Sequence, residues 1–213
     1  MGRSIRKAAS VVAVRPSTDG PEVLVVERGA GARFLPGYVA FPGGAADDGD
    51  AETARRWFGD PGEAPRACAV RELLEEVGLA LTSDGLRAAA GDAIASVDAS
   101  PPSRDQLPRI AHWIAPEDVP VRFDAQFFAA LAPEGPAPQP DAEEVRAAWW
   151  ISPRGLLDEW RNGARKLYWP TYYTMSALAR CVSVDELFAL RIQTREPDED
   201  ELARLPRSVF WQD

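Results

Sequence analysis

A mixed α/β fold, with helices packed against a sheet, is what this sequence predicts. Three observations carry that reading. Short valine-rich runs and longer helical segments interleave along the chain. A strand that ends in Phe41-Pro42-Gly43-Gly44 is followed by a polar stretch and then a helix entered at Pro65. Beyond Ser152 the chain reads as further helices, enough to cover a flank of the sheet.

Taken in order, Ala8 to Val14 is apolar and valine-rich, so it reads as a buried strand. Pro16 to Pro21 is a turn, and Glu22 to Arg28 is a second strand, so the two suggest a hairpin. Gly29 to Gly37 is a loop carrying Arg33 and Phe34, and Tyr38 to Phe41 resumes as a strand. Asp47 to Pro65 is polar and turn-rich, with a short helix expected from Ala51 to Phe58. A helix then runs from Pro65 to Val77. Leu86 to Val97 is alanine-rich and fits strand or helix. Arg109 to Ile114 and Val121 to Leu131 read as strands, and Pro133 to Asp141 as a proline-rich loop. Glu144 to Ile151 is a strand on which Trp149 and Trp150 point to opposite faces. Ser152 caps a helix through Trp160, with Pro153 at its first position. Thr171 is expected to cap a helix to Cys181, and Ser183 to Leu190 forms a shorter one. The acidic run Glu196 to Glu201 reads as a solvated loop.

Composition narrows the function. The chain has 213 residues, 46% of them hydrophobic, ample for a packed core. Its net charge of -9 disfavours non-specific binding to nucleic acid or anionic membranes. Two cysteines and one histidine exclude a Cys/His zinc site as the main feature. Cys68 and Cys181 are expected to be reduced and buried, and His112, inside a strand, to be structural. Neither a signal peptide nor an apolar run of membrane-spanning length is evident, so a soluble cytoplasmic protein is the default expectation.

The chemistry concentrates in Arg71-Glu72-Leu73-Leu74-Glu75-Glu76-Val77-Gly78-Leu79. Residues three and four apart share a helix face, so Glu72, Glu75 and Glu76 form one acidic patch. Their mutual repulsion would be relieved by a hard divalent cation, which favours clustered carboxylate oxygens. Gly78 supplies a helix stop in the left-handed region, where a Cβ would be penalised. Alone, the same pattern also fits the solvated face of an ordinary helix.

Together, Phe41-Pro42-Gly43-Gly44, then Glu63, then seven residues, then Arg71 to Leu79 resemble the Nudix box. The family pattern is Gly, five residues, Glu, seven residues, Arg-Glu-apolar-any-Glu-Glu-any-Gly-apolar. The chain matches from Glu63 onward. The first glycine of the pattern would fall at Trp57, so Gly44 takes its place only with thirteen extra residues in the loop. That insertion is similar to the branch that includes peroxisomal coenzyme A diphosphatases. Arg33-Phe34, Pro36-Gly37, Val39, Arg122-Phe123-Asp124, Phe127-Phe128, Glu143-Glu144 and Trp149 also resemble that branch.

The resemblance implies a Nudix-type α/β/α sandwich around a central mixed sheet. It would be a single domain over residues 1–213, with the box at about 43–79, an inserted loop at 45–62 and additional helices at 152–190. It implies Mg2+, or Mn2+, held by Glu72, Glu75 and Glu76, and an ion pair between Glu63 and Arg71 that pins loop to helix. Glu143 or Glu144 is expected as general base, with Glu75 or Glu76 as substitutes. Arg28, Arg33 and Arg122 are candidates for gripping phosphates, because a guanidinium forks onto phosphate oxygens. Gly43 and Gly44 let backbone approach the phosphates closely, and Phe34, Tyr38 or Trp149 would stack on a base. The partner implied is a small nucleotide diphosphate, not a nucleic acid or a membrane. A homodimer is also implied, with aromatics near Trp169 and Trp211 suited to its interface.

Three functions follow from this reading. The first is hydrolysis of a nucleoside diphosphate derivative, with coenzyme A or acyl-coenzyme A leading and NADH or ADP-ribose next. The second is a non-catalytic nucleotide sensor. The third is isomerisation of isoprenoid diphosphates, for which Cys68 lies four residues before Glu72.

Overall fold

The computed structural model describes residues 5–32, 34–89, 93–115, 117, 122–133 and 135–210. The chain runs β1 (Arg6–Arg15), β2 (Glu22–Arg28), β3 (Tyr38–Ala40), β4 (Gly43–Ala45), α1 (Asp50–Phe58), α2 (Ala64–Val77), β5 (Leu79–Thr82), β6 (Gly85–Ala88) and α3 (Ala93–Ala99). It continues through β7 (Arg109–Ile114), β8 (Phe123–Leu131), β9 (Val145–Ile151), α4 (Pro153–Arg161), β10 (Lys166–Leu167), α5 (Trp169–Leu178), α6 (Val184–Phe188), β11 (Ile192–Gln193) and α7 (Glu199–Arg204).

One mixed sheet takes the order β10-β3-β2-β1-β8-β7-β11, with β4 pairing β1 and β9 pairing β2. Strand β1 runs parallel to β8 from Arg6 to Val14. On its other edge it meets β2 only at Val14 and Arg15. Nearer its start, the same edge pairs Ala8, Ala9 and Ser10 with β4. The sheet therefore forks between β2 and β4, and the fork opens toward the helix that carries the glutamates.

Alternation along β1 explains the two layers of core. Ala9, Val11 and Ala13 face one side, packed with Leu73 and Val77 of α2. Val12 and Val14 face the other, packed with Leu156 of α4 and Met175 of α5. This is the α/β/α sandwich around a mixed sheet.

Several local expectations shift. The stretch Leu86 to Val97 divides into β6 and α3, with residues 90–92 between them outside the described part. Strand β8 begins at Phe123, and residue 121 is not described. Helix α5 starts at Trp169, because Pro170 suits the first turn; Thr171 lies buried within the helix and does not cap it. The acidic run is not a plain loop. Asp198 and Glu201 form a capping box that starts α7, and Glu201 also accepts from Arg195 at 2.6 Å. Cys68 is fully buried, Cys181 only half-buried, and both are free. Trp169 is buried against Tyr172, Tyr173 and Phe210, so it offers no interface surface, and Trp211 lies outside the described residues. Among the described residues, no helix is long and apolar enough to cross a membrane.

Candidate active site

Helix α2 delivers the carboxylates. It ends at Gly78, whose φ of 62° is left-handed and whose N–H caps the last turn on Leu73 and Leu74. Leu73 and Val77 bury against the sheet, which turns Glu72 and Glu76 toward β4. Glu72 is 8% exposed and Glu76 4%, whereas Glu75 projects outward.

Gly43 and Gly44 permit that approach. The Gly43 N–H donates to Glu76 Oε2 at 2.8 Å. A Cβ on Gly44 would lie 2.6 Å from the Glu72 carboxylate, so only glycine leaves the room Glu72 occupies. A Cβ on Gly43 would clash with Ser10 Oγ and the Ala9 carbonyl. One glycine makes space for a carboxylate and the other for the neighbouring strand.

Burial governs the charges. It pushes the Glu76 carboxyl up to about 7; Glu72 and Glu144 add repulsion, while the Gly43 N–H and Arg28 partly offset it. Burial likewise raises Glu72, opposed by Arg71 and reinforced by Glu75 and Glu144. Glu144 thus acts on both buried carboxylates. Its main chain is fixed beside Arg28, since the Gly29 N–H donates to the Glu144 carbonyl at 2.9 Å. Glu143 and Glu144 are both exposed, and the Glu143 N–H donates to Asp141 Oδ1 at 3.0 Å.

The expected Glu63–Arg71 pair does not form. Arg71 grips Asp50 with two bonds, Nε to Oδ1 at 3.0 Å and Nη2 to Oδ2 at 3.1 Å. Its Nη1 donates to Glu72 and Glu75, each at 2.8 Å, and Nη2 reaches the Ala45 carbonyl. Glu63 instead pairs with Arg66 and Arg104. The reason is length: Glu63 sits at the start of α2, and eight residues along a helix span about 12 Å. Asp50, from the first turn of the inserted α1, does the pinning expected of Glu63. The insertion is an ordered helix packed on α2 through Ala54 and Trp57.

Beside Gly43 and Gly44 opens a cavity of about 420 Å³. Arg28 and Phe34 line it, and Arg28 Nε also donates to the Phe34 carbonyl at 2.9 Å. Tyr38 lines it too, with its hydroxyl bonded to the Ser208 carbonyl at 3.0 Å. Other expected ligands are not brought here. Arg122 donates to the Ala115 carbonyl and is not among the described lining residues. Trp149 packs under Arg165 instead. Arg33 lies outside the described residues. His112 pairs with Asp124 at 2.6 Å across β7 and β8, a structural role.

Among the described residues, no three His, Cys, Asp or Glu side chains converge as a ready metal cage. Arg71 holds Glu72 and Glu75, and a backbone N–H holds Glu76. The donor set nevertheless fits a hard divalent ion. It is all oxygen, comes from adjacent turns of α2, and includes a buried carboxylate, Glu76, whose charge the Gly43 N–H and Arg28 only partly offset.

A NUDIX domain model matches residues 5–169. The chain belongs to the Nudix family. It is 30% identical over 191 residues to a Caenorhabditis elegans protein provisionally named nudix hydrolase 7, covering 83% of this chain. The chain spans 61% of that relative's length. It also resembles the crystal structure of a NUDIX hydrolase from Alicyclobacillus acidocaldarius. That likeness has 32% identity and a TM-score of 0.75, covering 89% of this chain and 97% of the other.

Sequence reasoning about the Nudix site missed Asp50. Its signal is the acidic stretch Asp47-Asp48-Gly49-Asp50 after Gly44, outside the box spacing, which points to Glu63.

Proposed function

We propose that this Nudix chain hydrolyses the diphosphate linkage of a nucleoside diphosphate derivative, with coenzyme A or an acyl-coenzyme A leading and NADH or ADP-ribose next. The observation that carries the reading is the packing of Glu72 and Glu76 against Gly43 and Gly44, which line the cavity. Support for the coenzyme A branch comes from the insert between Gly44 and the box helix and from the residues around Phe34 that resemble that branch.

Glu72, Glu75 and Glu76 would hold Mg2+ or Mn2+, which when bound neutralises anionic phosphate oxygens and favours attack by water. Arg28, between the cavity and Glu76, would pair with a phosphate oxygen. Glu144 would accept the proton of the attacking water as one P–O bond forms and the bridging P–O bond breaks, leaving two phosphate monoesters. Arg71 would not touch substrate; locked to Asp50, it orients Glu72 and Glu75.

The isomerase reading loses its thiol. Cys68 is fully buried, its Sγ faces the Gly44 carbonyl, and burial raises its thiol so that it stays protonated.

The test is incubation of purified protein with Mg2+ and coenzyme A, NADH, ADP-ribose and sugar nucleotides, with products resolved chromatographically. Cleavage to phosphate monoesters is expected, and Glu72→Gln and Glu76→Gln should each lower the rate by orders of magnitude with the fold intact. Absence of cleavage across the panel, with Glu75→Gln binding the same ligands as wild type, overturns the hydrolase reading in favour of a sensor.

A further inference from the structure

The cavity extends well past Gly43 and Gly44, the two residues through which it meets the packed Glu72 and Glu76. Its far wall comes from Trp169 and Thr171 of α5, the segment Thr194 to Pro197, and Phe210. Most of that wall lies beyond residue 169, where the family match ends. Its floor is the apolar face of β8, through Ala125 and Phe127.

Most polar groups at this end are already engaged with one another, and the carboxylate of Glu196 is on an exposed residue. Trp169 Nε1 donates to the Arg195 carbonyl at 3.0 Å. Thr194 Oγ1 donates to the His112 carbonyl and accepts from the Ile114 N–H. Arg195 is held by both Glu201 oxygens and donates to the Tyr173 hydroxyl, with its guanidinium over the rings of Trp169 and Tyr173. Tyr38 is tied to the Ser208 carbonyl. A ligand edge rich in donors and acceptors would give up its water bonds here and find few replacements, a loss that disfavours it. A purine is such an edge. A hydrocarbon chain loses nothing and gains burial against aromatic walls.

We propose that this end of the cavity receives an apolar, hydrogen-bond-poor group carried by the diphosphate substrate, an aliphatic chain, and that Phe210 with the 194–197 segment sets the chain length accepted. The proposal rests on the hydrolase reading for its substrate. Two sources share this chemistry: an acyl chain on a coenzyme A thioester, and an alkyl chain esterified directly to a diphosphate.

The test separates binding from cleavage. Binding of S-alkyl coenzyme A thioethers, from methyl to octyl, is followed in chelator by fluorescence of Trp113 and Trp169, which line the cavity. Cleavage of acyl-coenzyme A of matching lengths, geranyl diphosphate and ADP-ribose is measured with Mg2+. Affinity should rise about tenfold or more from methyl to hexyl and then level as the cavity fills. Phe210→Leu should move the preferred length upward. Ala125→Leu, which adds bulk from β8 independently of the C-terminal segment, should move it downward, with thermal melts checking both folds.

Affinity that is flat along the thioether series overturns the proposal, as does cleavage of ADP-ribose equal to that of every acyl-coenzyme A. A length-dependent rise in affinity without cleavage of any substrate keeps the apolar chamber and overturns the hydrolase reading. A preference for geranyl diphosphate over acyl-coenzyme A assigns the chain to the direct ester.

Discussion

Arg71 holds both carboxylate oxygens of Asp50, at 3.0 and 3.1 Å, in a pair whose acid is 2% exposed. This fork ties the inserted α1 to the glutamate helix. Removing one partner of a buried pair strands the other charge, at a cost of about 3 to 5 kcal/mol. Arg71→Met is therefore expected to lower unfolding free energy by roughly that amount in a denaturant titration. Glu63→Gln touches only pairs at the start of α2 and should cost about 1 kcal/mol or less. A reversed ranking would restore the Glu63–Arg71 assignment.

The two glycines of the Pro42-Gly43-Gly44 turn should fail differently. At Gly44 the added methyl would strike the end of the Glu72 side chain, which can swing aside, so Gly44→Ala should stay folded while activity falls by orders of magnitude. At Gly43 the methyl would strike Ser10 and the Ala9 backbone, which cannot move without shifting β1. Gly43→Ala should therefore cost about 1 to 3 kcal/mol, as overpacking does. Paired melting and rate measurements check this; a stable Gly43→Ala would show that β4 sits more loosely on β1.

The glutamate helix and its glycine stop were legible because helical spacing alone groups 72, 75 and 76, and the Nudix resemblance added the turn at 43–44. Asp50 was not legible, because its contact with Arg71 depends on how α1 folds back, which spacing does not encode. Tyr38, Trp169 and Phe210 meet only once β10 pairs with β3 and the C-terminal segment returns to the sheet. Strand runs such as Glu22–Arg28 were recovered because their apolar pattern is local. At 196–201 the charge run hides a capping box, because Asp198 and Glu201 differ from solvated acids only in the hydrogen bonds they make once folded.

Glu76 predicts an unusual pH response in metal-free protein. Its carboxyl is pushed up from 4.5 to about 7 on folding, so the native state binds the extra proton between those values. Stability from this group is then greatest below pH 4.5, falls as pH rises toward 7, and is flat above. The full shift corresponds to roughly 3 kcal/mol at most. In chelator, wild type should lose stability across that window more steeply than Glu76→Gln. Mg2+ added at pH 8 should restore stability by binding the folded state, and should do so less for the variant. Parallel wild-type and variant curves would remove Glu76 as the source.

Glu144 and Glu143 offer the sharpest test of the proposed base. The Gly29 N–H fixes the Glu144 main chain at 2.9 Å, and β9 then pairs Val145 with Arg28. That register brings Glu144 to the edge Arg28 occupies, where its charge acts on Glu72 and Glu76. Glu143, exposed like Glu144, is not among the main charges acting on either carboxylate, and its N–H is tied to Asp141. General-base loss costs about a hundredfold to ten-thousandfold in rate. Glu144→Gln should fall in that range with nearly unchanged KM, while Glu143→Gln should stay within about threefold of wild type, because Glu144, not Glu143, is among the main charges bearing on Glu72 and Glu76. Unchanged rates in both variants would remove both loop glutamates, and proton acceptance would then rest with Glu75 or Glu76 on the helix.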